Sequence, residues 1–178
     1  MDIPQLKQLK VLVLGDSCED VYHYGICEKL SPEAPVPVFK HKRSESIGGM
    51  AKNVFNNLAG LGCQADLITN KNAISKERFI DEDSLQHVVR VDMGEYFGSQ
   101  PISTEDIRTI SYSSYDAVII SDYEKGFIDH NAGLEISNIC QENNIPLFVD
   151  SKKVDLSCFN KAIIKINEHE NEKVKKFP

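Results

Sequence analysis

Three times along this chain a short apolar run stops at a carboxylate: Val11–Leu14 before Gly15-Asp16, Ala117–Ile120 before Ser121-Asp122, and Leu147–Val149 before Asp150. Such runs are too short for a helix and far below the ~20 residues of a membrane span, but they suit a strand buried on both faces. Lys10 to Gly15, 116–121, 146–150 and 162–166 therefore read as core strands, with Ala65 to Thr69 as another. Helical stretches lie between them. Val54, Leu58 and Leu61 recur at helical spacing over Met50 to Leu61, with Gly60 and Gly62 as stops. Thr104 to Ser111 has Ser103 as its N-cap and Glu105 and Asp106 in its first turn. A helix over 130–143 and a charged one at the end complete the pattern. Strands alternating with helices predict an α/β fold, a mostly parallel sheet with helices on both faces.

Two regions do not fit that core. Val36 to Lys42 is a strand entered through Ser31-Pro32-Glu33-Ala34-Pro35, where prolines disfavour helix and suit an edge strand or extended arm. Residues 76–93 read as two strands around a charged turn at Asp81-Glu82-Asp83. A length of 178 residues, with no repeat, low-complexity tract or linker, points to a single domain, 1–178.

Composition narrows the function classes. Lys and Arg number 20 against 27 Asp and Glu, a formal charge of −7 that repels nucleic-acid backbones and anionic lipid. Lys173 to Lys176 then reads as a solvated helix face or frayed tail. Met1-Asp2-Ile3-Pro4 opens no signal peptide, so a cytoplasmic protein is expected. The five cysteines are odd in number and never spaced C-x-x-C, which predicts free thiols in a reducing compartment and no cysteine metal site. The five histidines form no H-x-x-x-H pair.

Ligands of open α/β sheets bind beyond the carboxyl ends of the strands. Asp16, Asp20, Asn70, Asp122, Asp150 and Asn167 follow such ends. Carboxylates and amides accept hydrogen bonds from sugar hydroxyls, which suggests a polyhydroxyl ligand; the same residues also cap helices and start turns. Gly48-Gly49 lets backbone approach a ligand closely, and Asn53 can offer its amide from the following helix. Lys76, Arg78 and Arg90 are either phosphate contacts or solvated strand positions. No G-x-G-x-x-G, phosphate loop or G-x-S-x-G occurs.

Taken in order, the motifs become more specific. Gly15-Asp16-Ser17-Cys18-Glu19-Asp20-Val21-Tyr22-His23-Tyr24-Gly25 and Ser31-Pro32-Glu33-Ala34-Pro35-Val36-Pro37-Val38 lead to Gly48-Gly49-Met50-Ala51-Lys52-Asn53. Lys76-x-Arg78 with Gln86 and Arg90-Val91-Asp92, Ser121-Asp122-Tyr123-Glu124-Lys125-Gly126, Val149-Asp150-Ser151-Lys152 and Asn167-Glu168-His169-Glu170 follow. Over nearly the whole chain this series resembles the ribokinase-like (PfkB) carbohydrate kinases, in particular their heptose 7-phosphate kinase branch, which feeds ADP-heptose and lipopolysaccharide synthesis.

That resemblance implies a three-layer sandwich with a small β lid, approximately 35–42 and 76–93, through which such proteins often dimerise. It implies ATP-dependent phosphorylation, with magnesium, of D-glycero-D-manno-heptose 7-phosphate to the 1,7-bisphosphate. Asp16, Asp20, Gly48, Gly49, Asn53 and Asp122 fall on sugar-binding positions, and Lys76 and Arg78 on the substrate phosphate. Lys152, Asn167 and Glu170 fall where nucleotide phosphates are organised, Glu170 also towards the metal.

Two departures from the family pattern stand out. The Gly-Ala-Gly-Asp motif, whose Asp is the family's general base, does not occur, so a truncated domain without a catalytic residue is expected. A shorter deletion lies between Asn70 and Lys76, where relatives carry a Gly-Asp-Asp segment and a helix–strand connection. The expectations are then a kinase completed by a complementing chain or an oligomeric neighbour, a non-catalytic sugar-phosphate binding or regulatory module, or a degenerate fragment stabilised by lid dimerisation.

Overall fold

The structure is a computed structural model that describes residues 6–178; the opening Met1-Asp2-Ile3-Pro4 lies outside the described residues. Strands β1 (Lys10–Gly15), β4 (Gln64–Thr69), β7 (Ala117–Asp122), β8 (Leu147–Ser151) and β9 (Ile163–Ile164) form a five-stranded sheet in the order β4-β1-β7-β8-β9. Every pairing in it is parallel. The helices are α1 (Ala51–Gly60), α2 (Thr104–Thr109), α3 (His130–Glu142) and α4 (Glu168–Lys173).

The apolar runs do what their composition requires. Val11 to Leu14 are all buried, so β1 is covered on both faces. Leu12, Leu14, Val118, Ile120 and Val149 share one face and join Ile107 of α2, Ile136 of α3 and Phe159 in the main core cluster. Helix α1 packs separately, on β1, β4 and β7. Cover is thinner at the β8–β9 end, where Phe148 and Ile163 are 40% and 57% exposed. Ser103 and Asp129 cap α2 and α3 through their side chains. Among the described residues no helix is long and apolar enough to cross a membrane, and all five cysteines are free.

The second sheet holds β2 (Ser17–Leu30), β3 (Pro37–Met50), β5 (Ser75–Asp81) and β6 (Gln86–Met93) in the order β3-β2-β5-β6. Here the sequence reading needs correcting. The strand expected over 36–42 runs on to Met50, and its partner β2 is a 14-residue strand that the sequence reading does not place at all. Ser17–Leu30 mixes acids, aromatics and cysteines without a clean alternation, because successive residues on both faces are only partly buried and neither face demands one. The prolines at 32 and 35 lie in the turn joining the two strands, closed by the Ser31 N–H donating to the Val36 carbonyl at 2.8 Å. Gly48 and Gly49 belong to the strand, pairing with Glu19 and Cys18 at the end of β3.

The two sheets are joined tightly. Asp16 alone separates β1 from β2, β3 passes directly into α1, and residues 70–74 carry β4 into β5.

Candidate functional site

Asp16 sits at the joint and is fully buried. Its Oδ2 accepts the backbone N–H groups of Tyr123 (2.9 Å) and Lys125 (3.0 Å), and its Oδ1 that of Phe127 (3.2 Å). Burial pushes its pKa above the ordinary 3.8, against the lowering effect of those hydrogen bonds. Asp122 is equally buried. It accepts from the Glu124 N–H (2.9 Å), the Ser151 hydroxyl (2.6 Å) and the Lys153 ammonium (2.8 Å). Both carboxylates are thus committed within the fold, Asp16 to the backbone after β7 and Asp122 to that backbone and to the Ser151 and Lys153 side chains.

Asp20 is different. It lies on β2 beside Lys76 of β5, on the same face as Arg78, and its Oδ1 accepts from Arg78 Nη1 at 2.5 Å. Both side chains are 18% exposed, so the pair borders solvent without being free in it. Burial alone would lower the Arg78 pKa, but the hydrogen bond and charge of Asp20 outweigh it and raise it. The guanidinium also lies 5.2 Å from the Tyr22 ring centroid. Gly49 packs against this carboxylate so closely that a Cβ there would fall 2.2 Å from Asp20 Oδ2 and 2.6 Å from Cys18 Sγ. Gly48 meets the Lys52 side chain instead, and Asn53 is exposed in the first turn of α1.

Lys76 continues the line of charge. It donates to Asp92 (3.2 Å) and Glu95 (2.5 Å), and Glu95 also accepts from Lys125 (2.7 Å). The structure therefore brings Asp20, Gly49, Lys76 and Arg78 together and ties them through Glu95 to the segment that Asp16 anchors. Glu95 escapes sequence reading because its partners lie 19 and 30 residues away, and no spacing rule links them. Ser17 is missed for the same reason: its Oγ is buried without a partner next to Asp16, while its N–H donates to Asn70 Oδ1 at 2.7 Å.

The Glu95 knot predicts an acid response. Burial raises the Glu95 pKa, but the hydrogen bonds from Lys125 and Lys76 prevail and hold it below the ordinary 4.5. A depressed acid stabilises the fold above its unfolded pKa and loses that contribution as pH falls through the folded value. Urea midpoints are expected to fall below pH 4.5, and Glu95→Gln to flatten that fall while removing about 1 kcal/mol at neutral pH. An unchanged acid profile in the variant would exclude the knot as its source.

Lys152, Asn167 and Glu170 form a second group, beyond β8 and β9. Asn167 and Glu170 cap α4 reciprocally: Asn167 Oδ1 accepts from the Glu170 N–H at 2.8 Å and Glu170 Oε2 from the Asn167 N–H at 2.9 Å. Glu170 also pairs with Lys152, and that hydrogen bond holds its pKa down. Asp150 completes the group; its Oδ2 accepts from Lys165 at 3.1 Å, while its Oδ1 is buried without a hydrogen bond, 4.0 Å from the Lys152 ammonium. Two carboxylates, one with an oxygen free of hydrogen bonds, are hard donors of the kind magnesium takes, and the adjacent ammonium suits phosphate oxygens. Among the described residues no group of three His, Cys, Asp or Glu converges as a ready-made metal cage.

No family model matches the chain. Among solved structures it superposes on a carbohydrate kinase from Agrobacterium tumefaciens with a TM-score of 0.58 at 13% identity, over 94% of this chain and 63% of that one. It superposes on Arabidopsis thaliana ribokinase, complexed with ribose and ATP, with a TM-score of 0.57 at 12% identity, over 93% of this chain and 62% of that one. Among curated proteins, bifunctional protein HldE of Aliarcobacter butzleri is 32% identical over 85% of this chain, and that of Helicobacter pylori 32% over 86%. The chain has the fold of these carbohydrate kinases and is similar in sequence to the HldE proteins. This ribokinase-like chain spans 38% and 40% of the length of those two HldE relatives. The match to the A. butzleri protein runs over 184 positions although only 85% of the 178 residues take part, so that relative carries residues inside the matched span that this chain lacks.

Proposed function

We propose that these residues form the sugar-phosphate-binding part of an ATP-dependent carbohydrate kinase acting on D-glycero-D-manno-heptose 7-phosphate to give the 1,7-bisphosphate. The observation that carries this reading is the Asp20–Arg78 pair under Gly49, an acceptor for sugar hydroxyls set beside a guanidinium and, one pair along, the Lys76 ammonium. Similarity to the HldE proteins supports the choice of heptose.

In this reading Asp20 and Asn53 accept and donate hydrogen bonds at the hydroxyls, while Arg78 and Lys76 hold the substrate's own phosphate. Asp16 and Asp122 act one step back, by fixing the segment 123–127 and the end of β8. Lys152 would meet nucleotide phosphates, and Glu170 with Asp150 would hold magnesium, which neutralises phosphate charge when bound. The work of these residues is binding and orientation, since the family's Gly-Ala-Gly-Asp base is not among them. The inward turn of Asp16 and Asp122, both committed to partners within the fold, favours a second reading for these residues, a sugar-phosphate-binding module without turnover. The lid would supply a homodimer contact through β6, where Val89, Val91 and Met93 alternate on one exposed face. A cytoplasmic setting, where ATP is at hand, goes with the same reading.

Calorimetric titration with heptose 7-phosphate tests it. Saturable binding is expected, weakened about 10–100-fold in Arg78→Ala and about tenfold in Asn53→Ala, the range of one charge-assisted and one neutral contact. Equal affinity in both variants would sink the site. ADP release with ATP and magnesium then separates kinase from binding module, and sedimentation at rising concentration tests the lid contact.

A further inference from the structure

The connection through residues 70–74 is too short for a helix, and beside it the edge of β4 is left open to a cleft of about 570 Å³. None of the sugar-site residues lines it. Its floor is apolar, built from Ile68, Ile102, Ile110 and Phe127. The Phe97 ring stands at its mouth, 91% exposed, with Tyr96 edge-on to it at 5.2 Å. Gly94 and Gly98, both at positive φ, flank this aromatic tip.

Polar groups are few and placed with a definite sense. Asn72 lines the cleft; its Oδ1 is closed to solvent with no hydrogen-bond partner, a cost the amide would shed by turning onto a ligand's donor. Lys71 lines it as an exposed cation with no ion pair among the described residues. The single carboxylate of the lining, Asp106, accepts the Ser103 hydroxyl at 2.8 Å within its own helix cap. Small-molecule sites have this size and this balance, an apolar hollow with a few convergent polar groups.

We propose that this cleft is a binding site for a small aromatic acid bearing a ring N–H or O–H. The ring would lie on the isoleucine and phenylalanine floor, its N–H or O–H would donate to Asn72 Oδ1, and its carboxylate would meet Lys71. In a chain of net charge −7 an anion is held only where a local cation stands unpaired, and among the described residues Lys71 is such a cation. The site is tied to the sugar side from two directions: the Phe127 N–H donates to Asp16, and Asn70 donates to the Asn72 carbonyl at 2.8 Å. The proposal stands whether or not the chain binds a sugar phosphate.

Nitrogen-15 NMR titration of the full chain tests it, with indole-3-acetate and indole as probes. Saturable shifts are expected at the amides of Ile68, Ile102 and Phe127, with the acid binding about five- to tenfold tighter than indole, the worth of one exposed charge-assisted contact. Lys71→Met should bring the acid down to the level of indole. Thr109→Trp, on the exposed wall of the cleft, should abolish binding of both; Gln100→Trp serves the same purpose should that variant not fold. Non-saturating shifts confined to Tyr96 and Phe97 would overturn the proposal. So would equal affinity for the two probes, or affinities that survive filling the cleft.

Discussion

Replacing Asp16 by Ala is expected to cost about 3–5 kcal/mol of stability, the scale seen when one side of a buried, hydrogen-bonded charge arrangement is removed. The substitution orphans three N–H donors, those of Tyr123, Lys125 and Phe127. Each unpaired buried donor costs ~1–3 kcal/mol, and partial relaxation of the segment keeps the total below their sum. Urea unfolding at neutral pH reads the effect. The pH dependence gives a second signature. Because the Asp16 pKa is raised in the fold, its contribution is greatest below the ordinary 3.8 and is lost as pH rises through the folded value. Asp16→Ala removes that acid-side gain and leaves the opposite, stability-losing slope of Glu95 steeper by comparison. An unchanged midpoint would mean that the segment is held by β7 alone. Asp16→Ala is consequently a poor probe of sugar binding, and Asp20 or Asn53 should be substituted for that purpose.

Gly49→Ala is expected to weaken heptose 7-phosphate binding about 100-fold, the loss of two or more contacts at about 1.4 kcal/mol per tenfold. The reason is space: the added carbon would sit 2.2 Å from Asp20 Oδ2 and 2.6 Å from Cys18 Sγ. Asp20 is held by Arg78 and cannot retreat without breaking that pair, so both sugar-side groups move together. Overpacking of this kind adds a stability loss of about 1–3 kcal/mol. Gly60→Ala is the control, since a Cβ there meets nothing within 4 Å. Calorimetry showing native affinity in Gly49→Ala would remove Asp20 from the site.

The core was legible because its strands are nearly pure aliphatic runs. Lys10–Gly15 is recovered at both ends, and the strands expected over 116–121 and 146–150 lie within a residue of β7 and β8. A strand buried on both faces leaves a continuous apolar run, and its shortness and the Gly, Ser and Asp that end it set it apart from a helix. The lid left a weaker one. Its hairpin over 76–93 was visible from the charged turn between two apolar stretches, but β2 was not, and the second half of β3, Arg43-Ser44-Glu45-Ser46, is polar and exposed. Those residues are strand because β2 lies opposite, a fact of pairing rather than of composition.

The site divides the same way. Strand-end acids were legible as a set, yet their division of labour was not: Asp16 and Asp122 turn inward to backbone and lysine, whereas Asp20 turns to the lid. Asn167 and Glu170 were legible as a spaced pair; the structure shows that this spacing is also that of a capping box, so the motif serves α4 whatever else it binds.

The joint between the sheets carries a mechanical consequence. A hinge normally has slack, a few residues whose torsions can absorb a swing. Here β1 hands over to β2 through one residue, and that residue's side chain is bolted to the chain after β7. Any torque applied by the lid at this corner is delivered to Tyr123–Phe127 instead of being dissipated. The lid is thereby geared, through the single residue Asp16, to the segment Tyr123–Phe127 on the far side of β7.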